Sequence, residues 1–268
     1  MERKVVFSLV FLFSCLPLPS LGGLSADLYI PAKASGVAVD PNSDALYVVD
    51  QAQNRVLRFD HRFNLTSSSS PSAIFGNATV GNFTTRTTLR VPYGVCVDNS
   101  GTLWISDTGN NRVVWFVNAA SIIGSAPPAN GVIGQNTFVT SVAGSGQSGL
   151  NAPQGLQVLG NSLWVADTGN NRYSLPPQPP HIRILPYHFP AELDICSRVL
   201  RFDNINSAFV GMNASAVIGQ AGFLGTSPQS GADGTFLPGD VLPTNEGLLV
   251  ADTFNHRVVR DDKQISLF

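Results

Sequence analysis

Acidic and basic side chains recur at a fixed spacing along the chain of 268 residues. Four aspartates are each followed five residues later by an arginine, and two of the copies read Asp-Thr-Gly-Asn-Asn-Arg. Carboxylates from repeated units could form a ring that binds a metal ion or a substrate. A residue that occurs once in every unit more commonly builds that unit, so we predict a structural role for these turns. The residues are Asp50, Arg55, Asp107, Asn111, Arg112, Asp167, Asn171, Arg172, Asp252 and Arg257.

The composition of this phrase is that of a tight turn between two strands. Glycine and asparagine tolerate the positive φ that such turns need. We expect each aspartate to end one strand and each arginine to begin the next. The aspartate can accept hydrogen bonds from backbone N–H groups of the turn. It is also placed to meet an arginine, either its own or that of a neighbouring unit.

Other residues that could do chemistry are few. Two of the four histidines have simple explanations, because His256 replaces an asparagine of the repeated turn and His61 follows a strand end. The other two, His181 and His188, lie near Asp194 and Cys196 in a spacing that fits no known zinc pattern. The sequence also lacks a nucleophile elbow and a phosphate-binding glycine loop. We therefore predict no catalytic residue and no metal or other cofactor.

The turns belong to a longer internal repeat. Copies of one phrase begin at Gly36, Gly94, Gly155 and Gly239, which are 58, 61 and 84 residues apart. A second phrase, "VIGQ" in two of its copies, lies between them, so each repeat contains several short elements. The repeats lie near 34–85, 92–141, 153–227 and 237–262.

Short segments rich in Val, Leu and Tyr, bounded by Gly, Asn and Asp, predict about four strands in each repeat. The phrases "GVAVD…LYVVDQAQNRVLRFD" and "LWISDTGNNRVVWF" resemble NHL repeats, and the spacer resembles that of secreted NHL proteins with long repeats. This resemblance implies an all-β fold, a β-propeller of four-stranded antiparallel blades, commonly six of them. Only four repeats are visible, so we expect a four-bladed or an incomplete ring. The segment 26–30 could supply the outer strand of the last blade.

An insertion interrupts the third repeat. Residues 173–198 contain six prolines and no glycine, and their removal restores both the phrase and the spacing of 58 residues. One interpretation is a proline-rich loop on one face of the propeller. The other is a retained intron, because possible codons at both ends can carry splice signals and the length preserves the reading frame. A further alternative is that the chain is a fragment or mis-spliced version of a longer NHL protein.

The N-terminus predicts export. Residues 1–26 have a basic start, a short apolar run and small residues before a cleavage point, as in a signal peptide. The propeller then spans 27–268, and no segment of the mature chain predicts a membrane span. Sequons at Asn64, Asn77, Asn82 and Asn213 predict a secreted glycoprotein. The net charge of −2 argues against a nucleic-acid partner.

These observations predict a secreted, non-catalytic binding or scaffold module. Its ligand would be a protein, a peptide or a glycan, held by loops on one face of the propeller. The alternative is a secreted metal-dependent propeller enzyme of the lyase or lactonase type, with its metal near the central channel. Metal analysis of the purified protein separates the two.

Overall fold

The structure is a computed structural model, which describes residues 32, 34–66, 68–77, 83–169, 198–220, 222–224, 235 and 237–261. The proposed signal peptide, the segment 26–30, Asn82, Asn171, Arg172 and the insertion up to residue 197 lie outside the described residues. Within the described part no helix is long and apolar enough to cross a membrane.

Strands make up the regular structure, and each repeat forms one antiparallel sheet, or blade. Blade 1 contains β1 (Ala34–Val39), β2 (Leu46–Asp50), β3 (Arg55–Phe59) and β4 (Ala73–Phe75). Blade 2 contains β5 (Val95–Val97), β6 (Leu103–Asp107), β7 (Arg112–Phe116) and β9 (Gly131–Ile133). Between β7 and β9, the short β8 (Gly124–Ser125) pairs in parallel with β4. A segment of the second repeat therefore adds a strand to the outer edge of blade 1.

The third and fourth repeats continue this pattern. Blade 3 contains β10 (Pro153–Leu159), β11 (Ser162–Asp167), β12 (Arg198–Asp203) and β13 (Ala216–Ile218). Blade 4 contains β14 (Pro238–Thr244), β15 (Gly247–Asp252) and β16 (Arg257–Asp261), with no fourth strand among the described residues. The all-β fold and the antiparallel blades are as predicted, and blade 3 resumes at Arg198.

Apolar side chains pack between successive blades because strand residues alternate between the two faces of a sheet. Tyr47 and Phe75 of blade 1 pack on Leu103 and Ile105 of blade 2. Similar clusters join blade 2 to blade 3 and blade 3 to blade 4. These apolar cores hold each blade against the next one along the chain.

The first strands of successive blades approach one another closely. β1 lies beside β5, β5 beside β10, and β10 beside β14. A Cβ atom on Gly94 would lie 2.4 Å from the carbonyl oxygen of Gln154 in the next blade, so only glycine fits there. In the described part of the chain β14 makes no comparable contact with β1, and the four blades form an incomplete ring.

Candidate functional site

A buried ion pair joins the two ends of the repeated turn in blade 2. Asp107 ends β6, Arg112 begins β7, and the two residues are opposite each other in the strand register. The Nε atom of Arg112 donates to Oδ2 of Asp107 at 2.7 Å, and both side chains are almost fully buried. The arginine that meets this aspartate is therefore the one in its own blade.

The same pair occurs in the other blades. Arg55 lies 2.9 Å from Asp50, and Arg257 lies 2.7 Å from Asp252, although both arginines are about one-third exposed. In blade 3 the partner of Asp167 is Arg198, at 2.7 Å and fully buried. Arg198 comes 26 residues after Arg172, so the last residue of the insertion supplies the arginine that the repeat requires.

The aspartate does not hold the turn in the way its sequence suggests. The turn over Thr108–Asn110 is closed by backbone, the N–H of Asn111 donating to the oxygen of Thr108, and Asp107 accepts nothing from the turn's backbone. The carboxylate accepts instead from the backbone N–H of Arg90, at 2.6 Å, in the segment that leads into blade 2. Our expectation of a turn capped by its own aspartate was wrong, because the carboxylate accepts instead from Arg112, from the side chain of Asn110 and from the N–H of Arg90.

Positive φ angles occur where the turn chemistry predicts them. Asn54 and Asn111 adopt φ of 52° and 53°, and His256 adopts 52° at the equivalent place in blade 4. The side-chain oxygen of Asn111 accepts from the N–H of Ala152, and that of Asn54 accepts from Val91. These asparagines therefore hold the beginning of the next blade in place.

The turn threonine also joins neighbouring blades. Thr108 donates to the carbonyl of Pro153 at 2.6 Å, and Thr168 donates to that of Pro238 at 2.7 Å. Sequence analysis assigned no role to these residues, although threonine follows the aspartate in three of the four copies. The repeated turn is thus a structural joint between neighbouring blades.

The buried arginines anchor the segments that connect one blade to the next, which we name the connector loops (residues 76–94, 134–152 and 219–237). Beyond its aspartate, Arg112 donates to the carbonyls of Thr85, Thr88 and Phe138 at 2.7–2.9 Å. One guanidinium therefore holds two connector loops at once. The bonds are charge-assisted, which makes them stronger than ordinary backbone hydrogen bonds.

Arg198 does the same at the next position around the ring. It donates to the carbonyl of Phe223 in one connector loop and to those of Ser145, Gly146 and Gly149 in the preceding loop. Arg112 and Arg198 thus hold described parts of all three connector loops at one edge of the propeller. We name this side of the molecule the connector edge.

Large apolar side chains project from the anchored loops. Phe138 and Phe223 pack against the cores between the blades, while the residues after them, Val139 and Leu224, are 71% and 76% exposed. Phe83, in the first connector loop, is 76% exposed. In the sequence these pairs of apolar residues read "FV" and "FL" and follow the second repeated phrase. The two residue types are similarly apolar, so the sequence does not show which of them is buried.

Burial governs the electrostatics of the ionisable groups near the turns. It raises the pKa of Asp107, while Arg112, Asn110 and the N–H of Arg90 oppose that rise. Burial also raises the pKa of Cys96 well above the usual thiol value, so this cysteine is an inert core residue. Neither group faces the exposed part of the connector edge.

The remaining predicted residues lie apart from one another. His61 is exposed in an αL conformation, and within the described ranges no group of three His, Cys, Asp or Glu residues could hold a metal ion. His181, His188, Asp194 and Cys196 lie outside those ranges. Of the sequons, Asn64 and Asn213 are exposed and Asn77 is half-buried.

The blades and their turns define a β-propeller protein. Residues 89–116, which include most of blade 2, match the NHL repeat, and the sequence phrase of its turn recurs in the other three copies. The chain therefore contains an NHL repeat within a β-propeller fold. No curated protein matches it in sequence.

Solved structures of similar shape have low sequence identity to this chain. Streptogramin B lyase is 10% identical with a TM-score of 0.46, and the match covers 89% of this chain and 54% of the lyase. Glutaminyl cyclase from Myxococcus xanthus is 10% identical with a TM-score of 0.45, covering 89% and 69%. An auxiliary nutrient binding protein from Bacteroides thetaiotaomicron is 12% identical with a TM-score of 0.48, covering 83% and 46%. The chain thus spans about half the length of the first and third.

Proposed function

We propose that this protein is a non-catalytic binding module that recognises a protein or peptide through its connector edge. One observation carries the proposal. The residues whose carbonyls Arg112 and Arg198 hold, Phe138 and Phe223, are each followed by a large apolar side chain that faces solvent. An apolar group on a fixed loop loses little conformational freedom on binding, which favours affinity.

The chemistry of the edge favours a protein or peptide over a glycan. Phe83, Val139 and Leu224 offer apolar surface that has no hydrogen-bonding group of its own. Clustered exposed apolar side chains mark sites of association with other apolar surface, and because such side chains also occur at the opposite edge, the test below compares the two edges. A glycan presents mainly hydroxyl groups, which would lose water at such a site without gaining partners.

A triple variant, Phe83→Ser/Val139→Ser/Leu224→Ser, tests this function. We expect its affinity for the protein ligand to fall at least tenfold, about 1.4 kcal/mol, with an unchanged circular dichroism spectrum. The ligand is first recovered by passing an extracellular extract of the source organism over the immobilised wild-type chain. Its dissociation constant is then measured for both chains by biolayer interferometry.

The matched control is Phe63→Ser/Ile123→Ser/Phe209→Ser. These side chains are comparably exposed, at 80%, 90% and 62%, but lie in the loops that join the third and fourth strands, at the opposite edge of the blades. The control should bind like the wild type. Equal losses in both variants would contradict a specific edge, and stoichiometric zinc or calcium in the purified protein would support the enzyme alternative.

We also propose that the protein is exported and glycosylated, on the strength of its N-terminal sequence and its sequons. Asn64 and Asn213 are exposed, which a glycosyl-transferring enzyme requires, so we expect both to be modified in a eukaryotic secretory cell. N-terminal sequencing of the secreted chain should begin after Gly22, Gly23 or Ala26. Digestion with an N-glycosidase should lower its mass, and retention of the full-length chain inside the cell would contradict export.

A further inference from the structure

Two arginines on the connector edge form no ion pair with any described residue. Seven other arginines of the described structure each pair with an aspartate, at 2.7–3.0 Å. Arg86 and Arg90 do not, and both are exposed in the first connector loop. Positive charge that no described carboxylate compensates therefore lies on the same edge as the exposed side chains of Phe83 and Val139.

The composition of the connector loops agrees with a positive edge. Their described parts contain these two arginines and no aspartate, glutamate or lysine. The full loop sequences add a single acidic residue, Asp233, which lies outside the described residues. The chain as a whole has a net charge of −2, so the edge is opposite in sign to the whole molecule. Such an edge attracts a ligand of negative charge.

Arg86 is fixed in place by both backbone groups of the buried Ala129. The N–H of Ala129 donates to the carbonyl of Arg86 at 2.8 Å. The carbonyl of Ala129 accepts from Nε and Nη2 of Arg86 at 3.0 and 2.7 Å, and the guanidinium carbon lies 4.7 Å from the ring centre of Phe138. The Nη1 atom of Arg86 makes no hydrogen bond with another described residue, so its two N–H donors are available to a ligand.

The turn that carries Arg86 is fixed as well. The hydroxyl of the buried Thr88 accepts from the N–H of Thr85 at 2.9 Å and donates to the carbonyl of Phe83 at 3.0 Å. Arg112 in turn donates to the carbonyls of Thr85 and Thr88. One rigid turn therefore presents both the exposed ring of Phe83 and the guanidinium of Arg86. A receptor that is ordered before binding loses little entropy when it binds.

We propose that the connector edge recognises an acidic peptide in which an aspartate or glutamate stands beside an apolar residue. This inference rests on the proposed function and names its class of ligand. The ligand's carboxylate accepts from Nη1 of Arg86, and Arg90 adds a second positive charge. The apolar residue of the ligand packs on Phe83 and on Val139, which follows the phenylalanine under the guanidinium of Arg86. The planar guanidinium matches a carboxylate in shape and charge.

The number of basic groups favours a peptide over a polyanion. A nucleic acid or a sulfated polysaccharide is held by a row of basic groups along its length, whereas the described connector loops have two. Apolar side chains beside those two arginines offer nothing to a chain of phosphates or sulfates. A peptide supplies both kinds of partner within a few residues.

Arg62 at the opposite edge provides a matched control. Its guanidinium also lies over a phenylalanine, with the central carbon 4.6 Å from the ring centre of Phe63. Its charge, however, is paired with Asp44 at 2.9 Å. The two edges thus carry similar pairs of arginine and phenylalanine that differ in whether a described carboxylate neutralises the arginine.

Panning a displayed library of random peptides on the immobilised chain tests the preference. We expect the selected peptides to combine aspartate or glutamate with large apolar residues. Selection of neutral apolar peptides would overturn this inference and leave the proposed function in place. Selection of basic peptides would overturn it too, and recovery of no peptide would contradict both.

Variants then locate the preference. A selected acidic peptide, and its counterpart with amides in place of the acids, are labelled and their dissociation constants measured by fluorescence anisotropy. The wild type should bind the acidic peptide at least tenfold more tightly than the counterpart, and rising sodium chloride should reduce that difference. Arg86→Gln/Arg90→Gln should bind the two peptides equally. A preference that survives this double variant would overturn the inference.

Arg90→Gln alone keeps the bonds between Arg86 and Ala129, so it tests the same idea if the double variant does not fold. It should lower affinity for the acidic peptide at least threefold and leave affinity for the amide counterpart unchanged. The control Arg62→Gln should bind both peptides like the wild type. An equal loss in the control would mean that the preference does not belong to the connector edge.

Discussion

Replacing Arg112 with methionine should lower the free energy of unfolding by about 3–5 kcal/mol, because it leaves a carboxylate buried without its charged partner. Asp107 is fully buried and would keep only its bonds from Asn110 and the N–H of Arg90. The substitution also removes the donor to Thr85, Thr88 and Phe138. Denaturation by guanidinium, followed by the fluorescence of the buried tryptophans, measures the change.

Two further variants separate the ion pair from the bulk of the arginine. Arg55→Met in blade 1 should cost about 1 kcal/mol, because solvent screens an arginine that is 33% exposed. The double variant Asp107→Asn/Arg112→Met should recover part of the loss, since it removes the uncompensated charge. If Arg55→Met lowers the free energy of unfolding as much as Arg112→Met does, burial does not determine how much the Asp–Arg pair contributes to stability.

Much of the fold could be predicted because the sequence repeats with the same period as the blades. The strands of blade 2 correspond to the apolar segments around "GVCVD", "LWISD" and "RVVWF", and the turn between β6 and β7 follows from Gly and Asn. These are local effects of side-chain alternation and of permitted φ angles. Each repeat contains the same alternating strands and the same turn residues, which makes the pattern easy to detect.

The ring itself could not be predicted from local patterns. Whether β14 meets β1 depends on the angle between successive sheets, which many side chains set together. The same holds for the connector loops, whose course depends on carbonyls that no sequence pattern marks. Arg112 is visible in the repeat, but its bonds to Thr85 and Phe138 join residues that are 27 and 26 positions away.

The sequence could predict the structural role of the repeated turn, but not which side chains are exposed at the connector edge. A structural role for the repeated turn could be argued from its recurrence, since a ligand site needs different residues from different blades. The outward positions of Val139 and Leu224 could not be predicted from the sequence. Their neighbours Phe138 and Phe223 are equally apolar, yet these turn inward. Which of two adjacent apolar residues is buried depends on the loop geometry that the arginine imposes.

Deleting residues 173–198 should raise the free energy of unfolding by about 2 kcal/mol, because closing a short turn costs less chain entropy than closing a long one. Asp107 and Arg112 are separated by four residues, whereas Asp167 and Arg198 are separated by 30. The deletion joins Arg172 to Val199 and places Arg172 opposite Asp167, in the register that Arg198 has now. Thermal and guanidinium denaturation of both chains give the difference.

A deletion shorter by one residue provides the control. Removing 173–197 keeps both Arg172 and Arg198, so the turn between Asp167 and Arg198 contains five residues where the other blades have four. The αL asparagine then no longer directly precedes the paired arginine, as Asn111 precedes Arg112. We expect this variant to lose most of the gain although its loop is almost as short. Equal stability of the two deletions would mean that loop length alone matters and that the register of the Asp–Arg pair does not. A less stable 173–198 deletion would instead show that the inserted residues contribute contacts to the folded protein.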